Sequence, residues 1–332
     1  MRRLLGSAFG TLASLRVAAY RRGLLPRSRL AGPVVSVGNL SVGGSGKTPL
    51  VARVAEILRD AGEPVAVLSR GYGGRFRGET LVVSDGTSVL AGAAEAGDEP
   101  VMLARALPGV VVAVGPRRDV VGRAVEARFG RRVHVLDDGF QHLRLERDLD
   151  LLCLDVRDLA DRPMPAGRLR ERPEAAGRAD VLLLTRLEAA SAEELAALEA
   201  HLGKDRTFRV ARRATGWRAL DGAPASAPAR AFLLAAIARP ERFERDVAAG
   251  GTAVVGRAFF RDHHRFRAEE LTAAAAAARA AGAEAIATTA KDATRLSASA
   301  TDLPVLVLGI AAAIEGEERL RERLLAAARR AA

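Results

Sequence analysis

The chain has 332 residues, 49% of them hydrophobic and 4% aromatic, with a formal charge of +11. That length supports two ordinary domains whose cores need no disulfide, and the single cysteine, Cys153 inside an apolar run, excludes a disulfide framework and fits a reducing, cytoplasm-facing location. The charge invites anionic partners, but two Tyr, one Trp and no interleaving of aromatic with basic residues argue against nucleic acid as the partner.

At the amino terminus Leu4, Leu5, Ala8, Phe9, Leu12 and Leu15 recur at helical spacing, with Arg2, Arg3, Arg16, Arg21 and Arg22 around them. The charge-free stretch is shorter than the roughly twenty residues that cross a bilayer. Residues 1–24 are therefore expected to form a basic amphipathic helix lying in the interface of an anionic membrane leaflet. The structural alternative is a helix packed on the domain. A cleaved signal peptide would carry the protein away from its nucleotide.

Next comes the apolar run Pro33-Val34-Val35-Ser36-Val37, then Ser41-Val42-Gly43-Gly44-Ser45-Gly46-Lys47-Thr48, then a helical pattern from Val51 to Leu58. A Gly-rich turn before a helix aims backbone N–H groups at one point, a Lys adds a compact charge and a Thr hydroxyl reaches Mg²⁺. These eight residues are expected to cradle the phosphates of a nucleoside triphosphate, although Ser41 stands where the usual motif has Gly. Short apolar runs at 64–68, 81–83, 110–114, 133–136, 150–154 and 181–184 alternate with helical stretches. That pattern predicts an α/β fold of the P-loop NTPase kind, a mainly parallel sheet with helices on both faces and ligands at the carboxyl ends of its strands.

Residues 25–205 are read as the nucleotide-binding domain and 206–230 as a connecting region, with a strand from Arg206 to Arg213. A second, smaller α/β domain follows over 231–310, including an Ala-rich helix from Glu269 to Ala281. The segment 311–332 holds a final helix that packs back on the first domain.

Two carboxylates, Asp137 and Asp138, end the strand Val133-His134-Val135-Leu136, the usual place for a metal-organising acid in a phosphate-loop protein. Adjacent acids at a strand end point to opposite sides, so one can hold Mg²⁺ or its water while the other orients a basic partner. The lysines are also informative. Of 51 basic residues only Lys47, Lys204 and Lys291 are lysine, so arginine is written wherever a positive charge suffices and each lysine calls for a chemical reason.

With Val37-Gly38-Asn39-Leu40 leading into the Gly-rich loop and Pro49, then Ser69-Arg70-Gly71-Tyr72-Gly73, Gly97-Asp98-Glu99-Pro100 and Asp137 to His142, the chain resembles the tetraacyldisaccharide 4′-kinase family. The resemblance continues through Pro165 to Glu171, Phe260-Arg261-Asp262-His263-His264 and Thr288-Thr289-Ala290-Lys291-Asp292. It departs at Ala238-Arg239, where Gly-Asn is expected, and at Ala290, where Glu is common.

The resemblance implies transfer of the ATP γ-phosphoryl to the 4′-hydroxyl of tetraacyldisaccharide 1-phosphate, the lipid A precursor of Gram-negative bacteria, giving lipid IVA and ADP. It implies Asp98 and His263, one from each domain, as the acid/base pair, with His264 the rival histidine and an N-cap role the alternative for Asp98. Lys47 and Mg²⁺ would offset the transferred charge. Thr48, Asp137, Asp138 and Glu171 are the metal candidates. Ser69, Arg70, Arg118, Gln141, His142 and Arg170 are expected around the phosphates and the lipid. A monomer is favoured. The competing reading is a phosphate-loop GTPase or ATPase switch, against which Thr185-Arg186-Leu187-Glu188 lacks the guanine-reading Asn, Lys and Asp.

Overall fold

The Val- and Leu-rich runs form strands buried on both faces, which is why they show no polar alternation. The computed structural model describes residues 1–43, 46–296 and 301–330. Its strands are β1 (Val34–Asn39), β2 (Val65–Ser69), β3 (Leu81–Asp85), β4 (Val111–Val114), β5 (Val133–Asp137), β6 (Leu149–Asp155), β7 (Val181–Thr185), β8 (Thr207–Ala219), β9 (Pro224–Ala225), β10 (Arg230–Ala235), β11 (Ala253–Phe259), β12 (Ala285–Thr289) and β13 (Val305–Ile314). The helices are α1 (Arg2–Arg21), α2 (Lys47–Asp60), α3 (Ala93–Ala96), α4 (Asp98–Ala106), α5 (Arg118–Phe129), α6 (Ala192–Leu202), α7 (Pro240–Ala249), α8 (Ala268–Ala280), α9 (Ala290–Ala293) and α10 (Glu317–Arg330).

Among the described residues the strands join in the order β11-β10-β12-β13-β8-β7-β6-β1-β5-β2-β4-β3, with β9 on β8. From β8 to β4 every pairing is parallel, and only the edge strand β3 runs against its neighbour. β1 lies between β5 and β6, yet the chain leaves it for β2 beyond β5. The carboxyl end of β1 is therefore a switch point, where a parallel sheet opens a crevice.

The region 206–230 contains β8, a strand of 13 residues. Thr207 to Arg209 pair in parallel with Leu182 to Leu184 of β7. From Val210 onward β8 runs past the end of β7 and pairs antiparallel with β13, Val210 opposite Ile314 and Ala219 opposite Leu306. β12, β10 and β11 follow β13 in parallel. This one antiparallel junction turns the second half of the sheet end for end, so the carboxyl ends of both halves face each other. The strand expected from Arg206 to Arg213 is the first part of β8, and the strand runs on to Ala219 through exposed residues up to Gly216 that show no apolar alternation.

On one face of the first half, Leu50, Val54 and Leu58 of α2 pack with Leu320 and Leu324 of α10 against Val35 and Val37. Burying each such side chain contributes about 1.5–3 kcal/mol before entropy is counted. Arg53 of α2 also holds the Glu317 carboxylate at the start of α10, with Nε at 2.9 Å. In the second half Phe232, Leu234, Ile286 and the α8 residues Leu271 and Ala278 form one core cluster, and Trp217, Leu233, Phe243 and Val247 belong to another.

α1 docks by its narrowest face. Gly6 and Gly10 are its buried residues, and a Cβ at Gly6 would meet Pro163 O at 2.8 Å and Ala166 Cβ at 2.9 Å. Its leucines point away, with Leu4 77%, Leu12 66% and Leu15 60% exposed. No helix among the described residues is long and apolar enough to cross a membrane.

Candidate active site

The phosphate loop forms where β1 stops at Asn39 and α2 begins at Lys47. Gly43 and Gly46 have φ of +97° and +82°, a left-handed backbone that a side chain would resist, and Gly46 is the N-cap of α2. Gly44 and Ser45 lie outside the described residues. Val42 N–H is fixed by the carbonyl of Arg168 at 2.8 Å. Ser41 is buried and donates from its hydroxyl to Asp158 at 3.1 Å, so it braces the loop from behind.

Lys47 Nζ donates to Asn39 Oδ1 at 3.0 Å and pairs with Asp138. Arg170 holds the other Asp138 oxygen at 2.6 Å. Burial would push the Asp138 carboxyl up, but the Lys47 and Arg170 charges outweigh it and hold it below the usual range. Asp138 is thus the orienting acid of the pair, its oxygens already committed to cations.

Asp137 has the opposite environment. It is 3% exposed, and burial followed by the charge of Glu99 pushes its carboxyl up to about 6, although Lys47 and a hydrogen bond from Ser69 act the other way. Ser69 Oγ donates to Asp137 Oδ2 at 2.9 Å. Asp137 Oδ1 has no hydrogen-bond partner among the described residues. A carboxylate that costs energy to ionise where it stands is one that a cation would stabilise.

Glu171 is already saturated. Arg178 grips both its oxygens at 2.6 and 2.7 Å while stacking over Phe140, and Gln141 Nε2 donates to it at 3.0 Å. Arg118, buried, and His142, partly buried, are not among the residues that line the cleft. Burial, then the Arg118 charge, pushes His142 down to about 4, leaving the ring neutral. Arg118 Nε and His142 Nε2 are buried without hydrogen-bond partners among the described residues.

A cleft of about 1580 Å³ opens between the two facing carboxyl edges. Lys47, Thr48, Ser69, Arg70, Asp137, Asp138, Gln141 and Arg170 line it from the first half, and His263 and Lys291 from the second. Phe9, Leu12 and Arg16 of α1 form part of its wall.

Across the cleft, His263 Nδ1 lies 3.1 Å from Asp98 Oδ2. Asp98 is the first residue of α4 and makes no capping hydrogen bond; Gly97 occupies the cap. It is 9% exposed and stands behind His263, with Arg295 Nε at 3.6 Å from the same oxygen. His263 has φ of +62° and Asp138 of +57°, two of the three non-glycine residues in that region among the described residues. Such strain of about 1–3 kcal/mol persists where the surroundings over-determine the backbone, and functional sites are where it collects. His264 turns away. It stacks on Phe260 at 4.8 Å and bonds Glu270 at 2.7 Å, so its contacts are structural.

Asn39, Glu99, Asp262 and Arg295 also belong to this arrangement, and no role was legible for them in the sequence. Asn39 had one signal, its place between the strand and the loop. Among the described residues no group of three or more His, Cys, Asp or Glu is clustered to hold a metal ion. Mg²⁺ needs none, since it takes one or two carboxylates and fills its shell with phosphate oxygens and water.

The family model described as tetraacyldisaccharide-1-P 4′-kinase matches residues 2–329. The chain is 46% identical over 299 residues to a tetraacyldisaccharide 4′-kinase of Anaeromyxobacter dehalogenans (strain 2CP-C), covering 87% of this chain and 79% of that protein. It is 42% identical over 300 residues to the protein of that name from Geobacter metallireducens, covering 88% and 87%. Among solved structures it is similar to LpxK from Aquifex aeolicus in complex with ATP, with a TM-score of 0.80, 32% identity and coverage of 98% of this chain and 97% of that one.

Proposed function

The chain belongs to the tetraacyldisaccharide 4′-kinase family, and from that premise we propose that it moves the γ-phosphoryl of ATP to the 4′-hydroxyl of tetraacyldisaccharide 1-phosphate, giving lipid IVA and ADP. The observation that carries the proposed chemistry is the 3.1 Å approach of His263 to Asp98 across the cleft that also holds Lys47.

The residues of the loop fit a bound triphosphate. Lys47 stands beside the Gly-rich turn as a compact cation, and Arg170 and Arg70 add charge on the same side. Thr48 and Asp137 are the groups suited to Mg²⁺, Asp137 because one oxygen is unengaged and its ionisation is unfavourable without a cation. Mg²⁺ held there would supply positive charge to the phosphate oxygens during transfer. Glu171 and Asp138 are better suited to holding Arg178, Lys47 and Arg170 in place.

The sugar hydroxyl is a poor nucleophile until its proton has somewhere to go. The Asp98–His263 pair accepts that proton as the oxygen bonds to phosphorus and the bridging oxygen departs with ADP. The pair is already joined across both halves of the sheet, so closure around substrate has only to bring the sugar hydroxyl to it and keep water out. The acyl chains leave the cleft along α1, whose Leu4, Leu12 and Leu15 are exposed and whose Arg2, Arg3 and Arg21 suit anionic headgroups. This reading seats the enzyme on the inner face of the inner membrane.

Purified protein incubated with labelled ATP, Mg²⁺ and tetraacyldisaccharide 1-phosphate in detergent is expected to yield labelled lipid. ATP or GTP turnover with no phosphorylated lipid would overturn the assignment.

A further inference from the structure

His263 is approached from both sides. Nδ1 faces Asp98 Oδ2, while Nε2 lies 3.1 Å from Lys291 Nζ, on the short helix α9. Lys291 is also held by Asp262 Oδ1 at 3.0 Å, and its side chain is 17% exposed. The other charged groups around the ring are Arg295, 3.6 Å from Asp98, and Asp262 itself, whose Oδ2 is 3.9 Å from Nε2. Tyr72 meets the ring edge-on at 5.9 Å.

An ammonium carries three donors and no acceptor, and an imidazolium likewise has only donors. Lys291 can therefore bond Nε2 only while that nitrogen has no proton. The one ring proton must then sit on Nδ1, where it is donated to Asp98, which stays a carboxylate. We infer that Lys291 is a positioning residue that fixes His263 as the neutral Nδ1–H tautomer, so that Nε2 keeps a bare lone pair, which the sugar hydroxyl takes over by displacing the ammonium as it gives up its proton. This rests on the proposed role of Asp98 and His263 for its consequence in catalysis, though not for the tautomer itself.

The neighbouring acid defines what happens without the lysine. Removing Lys291 leaves the Asp262 carboxylate unpaired beside Nε2. The ring then lies between two carboxylates, Asp98 and Asp262, which together favour imidazolium. An imidazolium has no atom left to receive the hydroxyl proton. Below the pH at which it forms, the pair is disabled.

In Lys291→Met the acid limb of the pH profile of kcat should move up by about one pH unit or more, because an unscreened carboxylate within 4 Å is worth on the order of a kcal/mol. The double variant Lys291→Met/Asp262→Asn should return the limb toward its original position, since the acid that draws the proton is gone. A lysine that served only to bind phosphate would instead raise KM for ATP at every pH, with no rescue by Asp262→Asn; that result overturns the inference. The tautomer is read separately on ¹⁵N-histidine-labelled full-length protein, with the His263 signals assigned by His263→Asn. Near pH 7.5 the expected pattern is a protonated Nδ1 and a bare Nε2, shifting toward two protonated nitrogens in Lys291→Met. A protonated Nε2 in the unmodified protein would overturn the inference even if the kinase assignment stands. The expected tautomer with normal transfer by His263→Asn would instead sink the acid/base reading alone.

Discussion

Asp98 and His263 are 165 positions apart in the chain and 3.1 Å apart in space. One comes from the start of α4 in the first half of the sheet, the other from the loop after β11 in the second. The antiparallel junction at β8 is what brings them together, because it turns the two carboxyl edges toward one cleft. Replacing either partner by Asn should lower kcat for lipid phosphorylation by about 10²–10⁴-fold. Equilibrium ATP binding should change little, since the phosphate loop is elsewhere in the cleft. Loss of ATP binding in both variants would assign the pair to structure.

Asn39 spans the loop it precedes. Its Oδ1 accepts from Lys47 and its Nδ2 donates to the carbonyl of Ser41, and the residue is fully buried. Asn39→Ala leaves both groups without that partner, at a cost of about 1–3 kcal/mol. Isothermal titration should show ATP affinity reduced by roughly tenfold or more, and unchanged affinity would mean that Asp138 alone positions the lysine.

Asp158 braces Ser41 at a cost in stability. Burial pushes its carboxyl up to about 6 against an ordinary 3.8, with the Ser41 hydrogen bond opposing. The folded chain therefore keeps this proton between about pH 4 and 6 while the unfolded chain releases it, so stability falls as pH rises through that window. Asp158→Asn removes the penalty and should stabilise the fold by about 1–3 kcal/mol near pH 7.5, with little change near pH 4. The single tryptophan, Trp217, is buried in β8 and reports urea unfolding. Equal midpoints at the higher pH would mean that Arg168, 3.5 Å away, already compensates the charge.

The two faces of α1 separate docking from membrane contact. Gly6→Val should clash with Pro163 and Ala166 and loosen the helix, which limited proteolysis would detect as early cleavage before residue 25. Leu12→Ser with Leu15→Ser should leave the helix docked and weaken flotation with anionic vesicles, since both side chains are exposed. Unchanged flotation would reject α1 as the membrane contact.

Much of the first half of the sheet was legible because its strands are buried on both faces and so read as unbroken apolar runs. β8 was less so, since its exposed Ala211 to Gly216 carries no periodicity and β13 supplies its partner from about a hundred residues later. In the site, the Gly-rich loop, Asp137 and Asp138 could be found from local spacing. The division of labour between the two acids could not. Lys47 and Arg170 converge on Asp138 while Ser69 alone bonds Asp137, and those neighbours come from separate elements.

The sequence by itself determined where the strand, the Gly-rich turn and the lysine of a phosphate-loop fold lie, because they are contiguous and their geometry is local. It also singled out Lys291 through the scarcity of lysine. Only the tertiary structure decided what that lysine touches, which histidine faces the cleft and which acid keeps an unengaged oxygen. Those outcomes depend on distances between segments far apart in the chain, and such distances are set by how β8 joins and reverses the two halves of the sheet.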